Sequence, residues 1–322
     1  MIKIGIIGSS LISDKFCTAV LESDLDVVLE ANYSRSIERA KQFGDKYNVR
    51  LNFDSKSEML KVVDMVYIAT PNSLHYEDVK QALIAGVHVL VEKPMTVTSA
   101  QTEELFDLAR DNNLVLVEAI KTCSMNTYQS GLQLLDKIGE VKSFRFNMMR
   151  EYGNFPTDED NVANIYRSDM DGGVVADLGS YALFPVIDFI YPNADSEDIK
   201  LQSFANNEGL DVDVDITARL FCTTCKKRGL ITLSMHTEDN SPSYIYGTDG
   251  FITIDSLSQF NTIKVYDNNQ HLIETINRTN EHLMASELKH TIELINSDML
   301  ESSIHNKYKS VKVAKLLEAL NK

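Results

Sequence analysis

Along the first third of the chain, short apolar runs alternate with stretches whose apolar positions recur at helical spacing. The runs Ile2–Gly8, Val27–Tyr33, Arg50–Phe53, Met65–Ala69, Val87–Val91 and Leu114–Val117 predict strands. Ser36–Tyr47, Tyr76–Ala85 and Ala100–Asn112 predict amphipathic helices between them. Strands of this kind, each followed by a helix, fit a doubly wound parallel sheet. After Lys121 the period changes. Lys142–Met149, Asp211–Cys222 and Leu230–Met235 alternate apolar and polar positions, and Ile245–Tyr246, Phe251–Ile254 and Thr262–Tyr266 are shorter versions of the same pattern. They predict one open, mostly antiparallel sheet, on which two closing helical segments, Leu283–Ile295 and Lys309–Leu320, can pack. The expected division is an α/β domain over 1–121 and an α+β domain over 122–322.

Composition narrows the class. A chain of 322 residues with 43% hydrophobic content can build two sizeable cores. Its apolar runs fall short of the roughly 18–20 residues of a membrane span. Met1-Ile2-Lys3 leads straight into a strand, so a soluble cytoplasmic protein is expected. The formal charge of -16 is spread along the chain, which disfavours nucleic acid and acidic membranes as partners. Cys17, Cys123, Cys222 and Cys225 are too sparse for a disulfide framework and suit a reducing compartment. Cys222-Thr-Thr-Cys225 has the spacing of half a metal site, but no second Cys or His pair at ligand spacing accompanies it, and no metal is expected. The signatures Gly-x-Ser-x-Gly, the Walker loop and His-Glu-x-x-His are missing from the sequence.

Candidate chemistry gathers at the carboxyl ends of the predicted parallel strands, where such sheets bind ligands. The first strand runs into Gly8-Ser9-Ser10-Leu11-Ile12-Ser13, the place of the Gly-x-Gly-x-x-Gly turn that cradles a dinucleotide. Only Gly8 keeps that pattern, with Ser10 and Ser13 at the other two positions, so the segment reads as a dinucleotide loop or as a plain tight turn. The second strand ends in Ser34-Arg35, where an NAD-selective site carries an acid for the ribose hydroxyls. Arg35 could grip a 2′-phosphate bidentately, which favours NADP, or could simply begin a helix surface. The fifth strand ends in Glu92-Lys93-Pro94, with the proline disfavouring a helical Lys93. Alone, that tripeptide is an ordinary solvated loop; its place at a strand end makes Lys93 a candidate.

In the second domain Gly172–Tyr191 predicts a helix with Val174, Leu178, Tyr181, Ala182, Pro185 and Phe189 toward a core, bent at Pro185. Asp177 and Tyr181 lie four apart and face the same way. A carboxylate beside an apolar stripe calls for a cation or a hydrogen-bonding ligand. On the residues alone, a packed tyrosine beside a rim aspartate is the simpler account.

Taken together, Thr70-Pro71-Asn72-Ser73-Leu74-His75, Glu92-Lys93-Pro94 and Asp171-Gly172-Gly173-Val174-Val175-Ala176-Asp177-Leu178-Gly179-Ser180-Tyr181 stand in the order and spacing of one family, with Ile138–Val141 and Tyr246–Gly250 as weaker supports. Over nearly its whole length the chain resembles the glucose-fructose oxidoreductase, inositol dehydrogenase and MocA family (Gfo/Idh/MocA). The resemblance implies a Rossmann-type domain and NADP, or else NAD, as hydride carrier for a sugar, polyol or related hydroxy or keto compound. It implies that Lys93, Asp177 and Tyr181 carry the chemistry across a cleft between the two domains. Gly8, Ser9, Ser10, Leu11, Ile12, Ser34, Arg35, Thr70, Pro71, Asn72, His75, Glu92, Lys93 and Arg167 then meet the cofactor, although a single loop histidine such as His75 is more often structural. Tyr181 stands where many members carry His. That resembles the branch containing dihydrodiol dehydrogenase, in which the Tyr is the acid/base, and it turns the expectation away from inositol-type polyols. A homodimer or homotetramer through the open sheet is implied. The alternative function is a catalytically silent dinucleotide sensor, for which the altered glycine loop speaks.

Overall fold

The structure, a computed structural model, describes residues 1–152, 162–279, 282–297 and 299–321. Of the segment Tyr152–Asn164, read from the sequence as a loop that sets the substrate, residues 153–161 lie outside the described residues. The chain forms two compact units, Met1–Lys121 with Glu281–Val311, and Thr122–Asn280 with Lys312–Lys322.

The first unit begins as β1 (Ile2–Ile7), α1 (Leu11–Glu22), β2 (Val27–Tyr33), α2 (Ile37–Tyr47), β3 (Leu51–Phe53), α3 (Lys56–Met59), β4 (Met65–Ile68), α4 (Asn72–Ile84), β5 (His88–Glu92), α5 (Ser99–Asp111) and β6 (Leu116–Ala119). Among the described residues these strands make a six-stranded sheet in the order β3-β2-β1-β4-β5-β6, parallel throughout. The order reverses between β1 and β4, the switch point at which doubly wound sheets hold ligands. Register pairs Tyr33 with Ile7, Ile7 with Ile68, and Ile68 with Val91. The turns after these strands therefore stand in one row. Alternation divides the strand side chains between two cores. Ile4, Ile6, Tyr67 and Leu90 pack with Phe16 and Val20, whereas Ile7, Val66, Val89 and Val91 pack with Val79, Leu83 and Leu105. Each such side chain contributes ~1.5–3 kcal/mol on burial.

The second unit continues with α6 (Asn126–Gln133), β7 (Ser143–Met149), α7 (Val174–Pro185), β8 (Ile199–Asn206), β9 (Asp215–Cys222), β10 (Arg228–Ser234), β11 (Ser243–Tyr246), β12 (Gly250–Ile254), β13 (Thr262–Asp267) and β14 (Leu272–Asn277). Its eight-stranded sheet, counted among the described residues, has the order β14-β13-β12-β11-β7-β10-β9-β8. The sheet is mixed rather than purely antiparallel, because β7 and β10 run parallel while the other neighbours alternate. One face, including Phe146, Ile216, Ala218, Leu220, Ile231 and Ile245, is buried, and α7 lies against β7, β9 and β10. At Pro185 the α-helix gives way to a π-helical turn, Val186–Ile190, as a helix does where a proline removes an intrahelical donor.

The chain closes with α8 (Ala285–Asn296) and α9 (Lys307–Leu320). The expectation that both pack on the second sheet is corrected for α8. Met284, Leu288, Ile292 and Leu294 sit in the core with Phe16, Val20 and Tyr67 of the first unit. Helical periodicity reports that an apolar face exists; it carries no address for the core that face will enter.

Candidate active site

The turn after β1 is built on Gly8, with φ +106, where an added Cβ would lie 2.6 Å from the Ala69 carbonyl oxygen. No side chain fits there. The serines that replace glycines in this loop form a cap for α1. Ser10 Oγ accepts from the Ser13 N–H at 3.4 Å, the Ser10 N–H donates to Ser13 Oγ at 3.3 Å, and Ser13 Oγ donates to the Gly8 carbonyl at 2.9 Å. The loop is therefore a fixed turn at a helix N-terminus, where amides and dipole favour an anion. Ser9 and Leu11 are exposed, Ile12 half-buried, and Leu11 reaches 81% exposure, a large apolar surface at the mouth of the turn.

At the tip of β2 the Ser34 N–H donates to the Phe53 carbonyl at 3.1 Å, which fixes the chain just before the exposed Arg35. After β4, Thr70 Oγ1 donates to Asp78 Oδ2 at 2.9 Å, and Pro71 leads into Asn72 at the start of α4. Asp78 also pairs with Lys56. His75, placed near the cofactor by the resemblance although a single loop histidine is more often structural, lies in the first turn of α4. It is buried, with Nε2 2.8 Å from the Thr70 carbonyl oxygen and Nδ1 2.9 Å from that of Pro94. Burial pushes its pKa down, against those two carbonyls. The ring joins the Thr70 and Pro94 turns.

The loop that presents Lys93 is braced at each neighbouring residue. Tyr67 donates to Glu92 Oε1 at 2.5 Å, His75 lies on the Pro94 carbonyl, and the Met95 N–H donates to Glu118 Oε1 at 3.1 Å. The Lys93–Pro94 peptide is cis, a feature with no signature in the tripeptide itself. Burial raises the Glu92 carboxyl, opposed by Tyr67, Lys93 and Lys121, and burial likewise raises Glu118. Tyr67 escaped sequence reasoning because it lies within an apolar strand run, and Glu118 because it directly follows one.

In the second unit, Gly172 and Gly173 lead into α7 through a close passage. A Cβ on Gly172 would lie 2.6 Å from the Asn164 carbonyl oxygen, and Gly173 has φ +104. The Gly173 N–H donates to Ile165 at 2.7 Å and the Val174 N–H to Asp213 at 2.8 Å. Ten of the twelve residues of α7 are buried; Asp177 and Tyr181, one turn apart, are the half-buried pair. Asp177 Oδ2 accepts from the Tyr152 hydroxyl at 2.5 Å. The Tyr152 phenol is raised by burial and by the Asp177 charge beside it, and Tyr166 is shifted the same way by the same two causes. Arg150 stands over the Tyr152 ring at 5.4 Å. Tyr152 is thus a partner of the candidate residue Asp177 that the sequence offered only as the start of a codeless loop. Arg167 forms a two-pronged pair with Asp169, at 2.9 and 2.5 Å.

A doubly wound parallel sheet with a glycine turn at its switch point defines a dinucleotide-binding domain of the Rossmann class. Residues 2–119 match the GFO_IDH_MocA family, described as an oxidoreductase family with an NAD-binding Rossmann fold. The chain is 30% identical, over its full length and 97% of the relative, to the scyllo-inositol 2-dehydrogenase (NADP(+)) IolU of Bacillus subtilis. It is 25% identical, over 98% of its length and 96% of the relative, to trans-1,2-dihydrobenzene-1,2-diol dehydrogenase of Xenopus laevis. Among solved structures it is similar to KijD10, a 3-ketoreductase from Actinomadura kijaniata in complex with NADP and TDP-benzene, with TM-score 0.84 and 23% identity over 99% of this chain and 96% of that one. The chain belongs to the Gfo/Idh/MocA family, and it is an NAD(P)-dependent oxidoreductase.

Proposed function

We propose that the protein moves a hydride between NADP(H) and a carbinol or keto carbon of a cyclic sugar or polyol, with Lys93, Asp177 and Tyr181 as the reacting set. The observation that carries the reading is the exposure pattern of α7. On a helix otherwise sunk in apolar core, an acid and a phenol are left accessible one turn apart. Tyr181 gives the proton to the substrate oxygen in reduction and takes it in oxidation. A free phenol titrates near ~10, so a nearby ammonium is needed to make it a base at neutral pH, and Lys93 supplies that charge. Asp177, oriented by Tyr152, aligns a substrate hydroxyl. The IolU relative is named for an inositol, which speaks for keeping inositol-type polyols within the substrate class despite Tyr181.

The residues present fit a dinucleotide. Gly8 leaves main chain where a Cβ would collide, the capped start of α1 suits a pyrophosphate, and Leu11 offers apolar surface. Ser9, Ser10 and Ile12 complete that turn, and Thr70, Pro71, Asn72 and Glu92 line the neighbouring strand ends. Arg35 favours NADP through the 2′-phosphate, in keeping with the cofactor named for IolU and KijD10. When bound, the nicotinamide supplies or accepts the hydride. The silent-sensor alternative drew on a degraded glycine loop, and the loop is a built cap.

Self-association through the open face of the second sheet, and a cytoplasmic setting, belong to the same reading. The open face carries more apolar surface than β9 alone suggested. Phe204, Phe221 and Leu230 are exposed there, beside the run Tyr244, Tyr246, Phe251 and Tyr266, in which Phe251 and Tyr266 stack at 4.9 Å. The test of the catalytic reading is purified protein with NADPH and NADH across inositols, keto-sugars and dihydrodiols, followed at the nicotinamide absorbance band. Turnover of a cyclic polyol or its ketone is expected. Tight NADPH binding without turnover across the panel would return the protein to the sensor class.

A further inference from the structure

Cys222 and Cys225 form no disulfide in the structure, and the proposed chemistry has no use for them. Cys222 closes β9 with its side chain fully buried, and Cys225 is exposed in the turn that follows. The turn folds the two together. Cys222 Sγ accepts from the Cys225 N–H at 3.3 Å and lies 3.2 Å from Thr224 Oγ1. The Cys222 N–H donates to Lys227 at 2.9 Å and the Lys226 N–H to Cys222 at 3.0 Å, so the six-residue turn is pinned at both ends. Burial pushes the Cys222 thiol up, but the hydrogen bonds from Cys225 and Thr224 outweigh it and leave it lowered.

This turn also holds the end of the site helix. Lys227 Nζ donates to the Ile190 carbonyl at 2.9 Å, the Tyr191 hydroxyl donates to the Lys227 carbonyl at 3.3 Å, and buried Lys312 donates to the Tyr191 carbonyl at 2.8 Å. Two ammonium groups thus cap the carbonyls where α7 and its π-helical turn finish. Charge on either sulfur acts on Lys312 and on Tyr191. A thiol that accepts hydrogen bonds within a tight turn, with a second and exposed thiol in the same turn, is a setting for thiol exchange rather than inert packing.

We propose that Cys222 and Cys225 are a reversible dithiol–disulfide site whose oxidation state is transmitted to the helix bearing Asp177 and Tyr181. The inference does not depend on the identity of the substrate. The oxidant is a small-molecule disulfide. The exposed Cys225 thiol, held above its ordinary pKa by burial and by Cys222, gives up its proton and attacks it; the oxidant's S–S bond breaks, the departing sulfur takes a proton and leaves as a thiol, and a mixed disulfide remains on Cys225. Cys222 then gives up its proton and attacks the Cys225 sulfur, expelling the second thiol. Two protein thiols are oxidised by two electrons, and one external disulfide is reduced to two thiols. The ring so closed is short, so it adds little stability by constraining the unfolded chain, and its exposed sulfur keeps it open to reduction.

The full chain, fully reduced and then equilibrated with mixtures of reduced and oxidised glutathione, is quenched with acid, alkylated and weighed intact. The expected product lacks two alkyl labels and the mass of two hydrogens, maps to a Cys222–Cys225 bond, and reverts on reduction. Cys222→Ser should stop at a glutathione adduct on Cys225. Cys225→Ser, a change at an exposed position, should take up no glutathione. The amides of Val186–Tyr191 should exchange hydrogen at different rates in the two forms. Four free thiols at every glutathione ratio, or a lasting Cys225 adduct in the unaltered protein, would overturn the site. Equal exchange in both forms would overturn its link to the helix.

Discussion

At the scale of the residue, the proposal stands on Tyr181. Tyr181→Phe removes one hydroxyl and should lower kcat by roughly 10²–10⁴-fold, the usual worth of a general acid or base, with the NADPH dissociation constant nearly unchanged. Lys93→Met should cost at least as much and flatten the pH–rate profile, because the phenol loses the charge that brings its pKa into range. Since the two serve one proton transfer, the double variant should be little worse than either single one. Steady-state kinetics on a verified substrate decide this, and wild-type kcat in Tyr181→Phe would make the tyrosine a packing residue. Arg35→Ala should narrow the preference for NADP over NAD in calorimetric titrations; an unchanged NADP affinity would leave Arg35 as helix surface. Much of this was legible in the sequence, because glycine turns, a proline after a lysine and an i, i+4 pair each have a local cause. Tyr152 and Glu118 were not legible. Each acts through a partner more than twenty positions away, Asp177 for one and Met95 for the other, and no local period encodes such a pairing.

At the scale of the element, the turn between β1 and α1 is the least tolerant. Gly8→Ala places a Cβ against the Ala69 carbonyl and forces φ +106 on a residue that disfavours it. Loss of NADPH binding together with ~1–3 kcal/mol of stability is expected, measured by titration and urea unfolding. Native affinity in that variant would show that the turn can relax. The segment between α8 and α9 gives a pH prediction. His305 is fully buried and its pKa is pushed down to about 3 by burial, with His290 and Lys309 adding to the shift. An unfolded His titrates near ~6.5, so the unfolded chain takes up a proton that the folded one refuses. Stability from this ring is present above about pH 6.5 and drains as pH falls toward the folded value, by at most ~1.4 kcal/mol per pH unit. Urea midpoints at neutral and mildly acidic pH should show the loss, and His305→Gln should reduce it. The strands missed by the alternation pattern were β8 and β14, the two edges of their sheet. Edge strands are exposed along much of their length, as Lys200, Gln202, Leu272 and Ile273 are here, so apolar alternation fades where it is most needed.

At the scale of the whole molecule, the open face of the second sheet makes a prediction about assembly. Aromatic rings flanked by Arg145 and Lys264 can be covered by another copy and held partly by charge. Light scattering at micromolar concentration should report a dimer or tetramer, and Phe251→Glu should shift it toward monomer; monomer alone in the unaltered protein would refute the interface. The course of the chain has a separate consequence, for synthesis. The core under β1 and β4 is completed by Leu288 and Ile292, which are made long after the strands they cover. A ribosome that has released residues 1–121 has released a sheet with one apolar flank covered by α1 and α2 but still lacking α8. A nascent chain of that length should therefore be protease-sensitive and chaperone-bound until α8 emerges, so the domain that begins first finishes late.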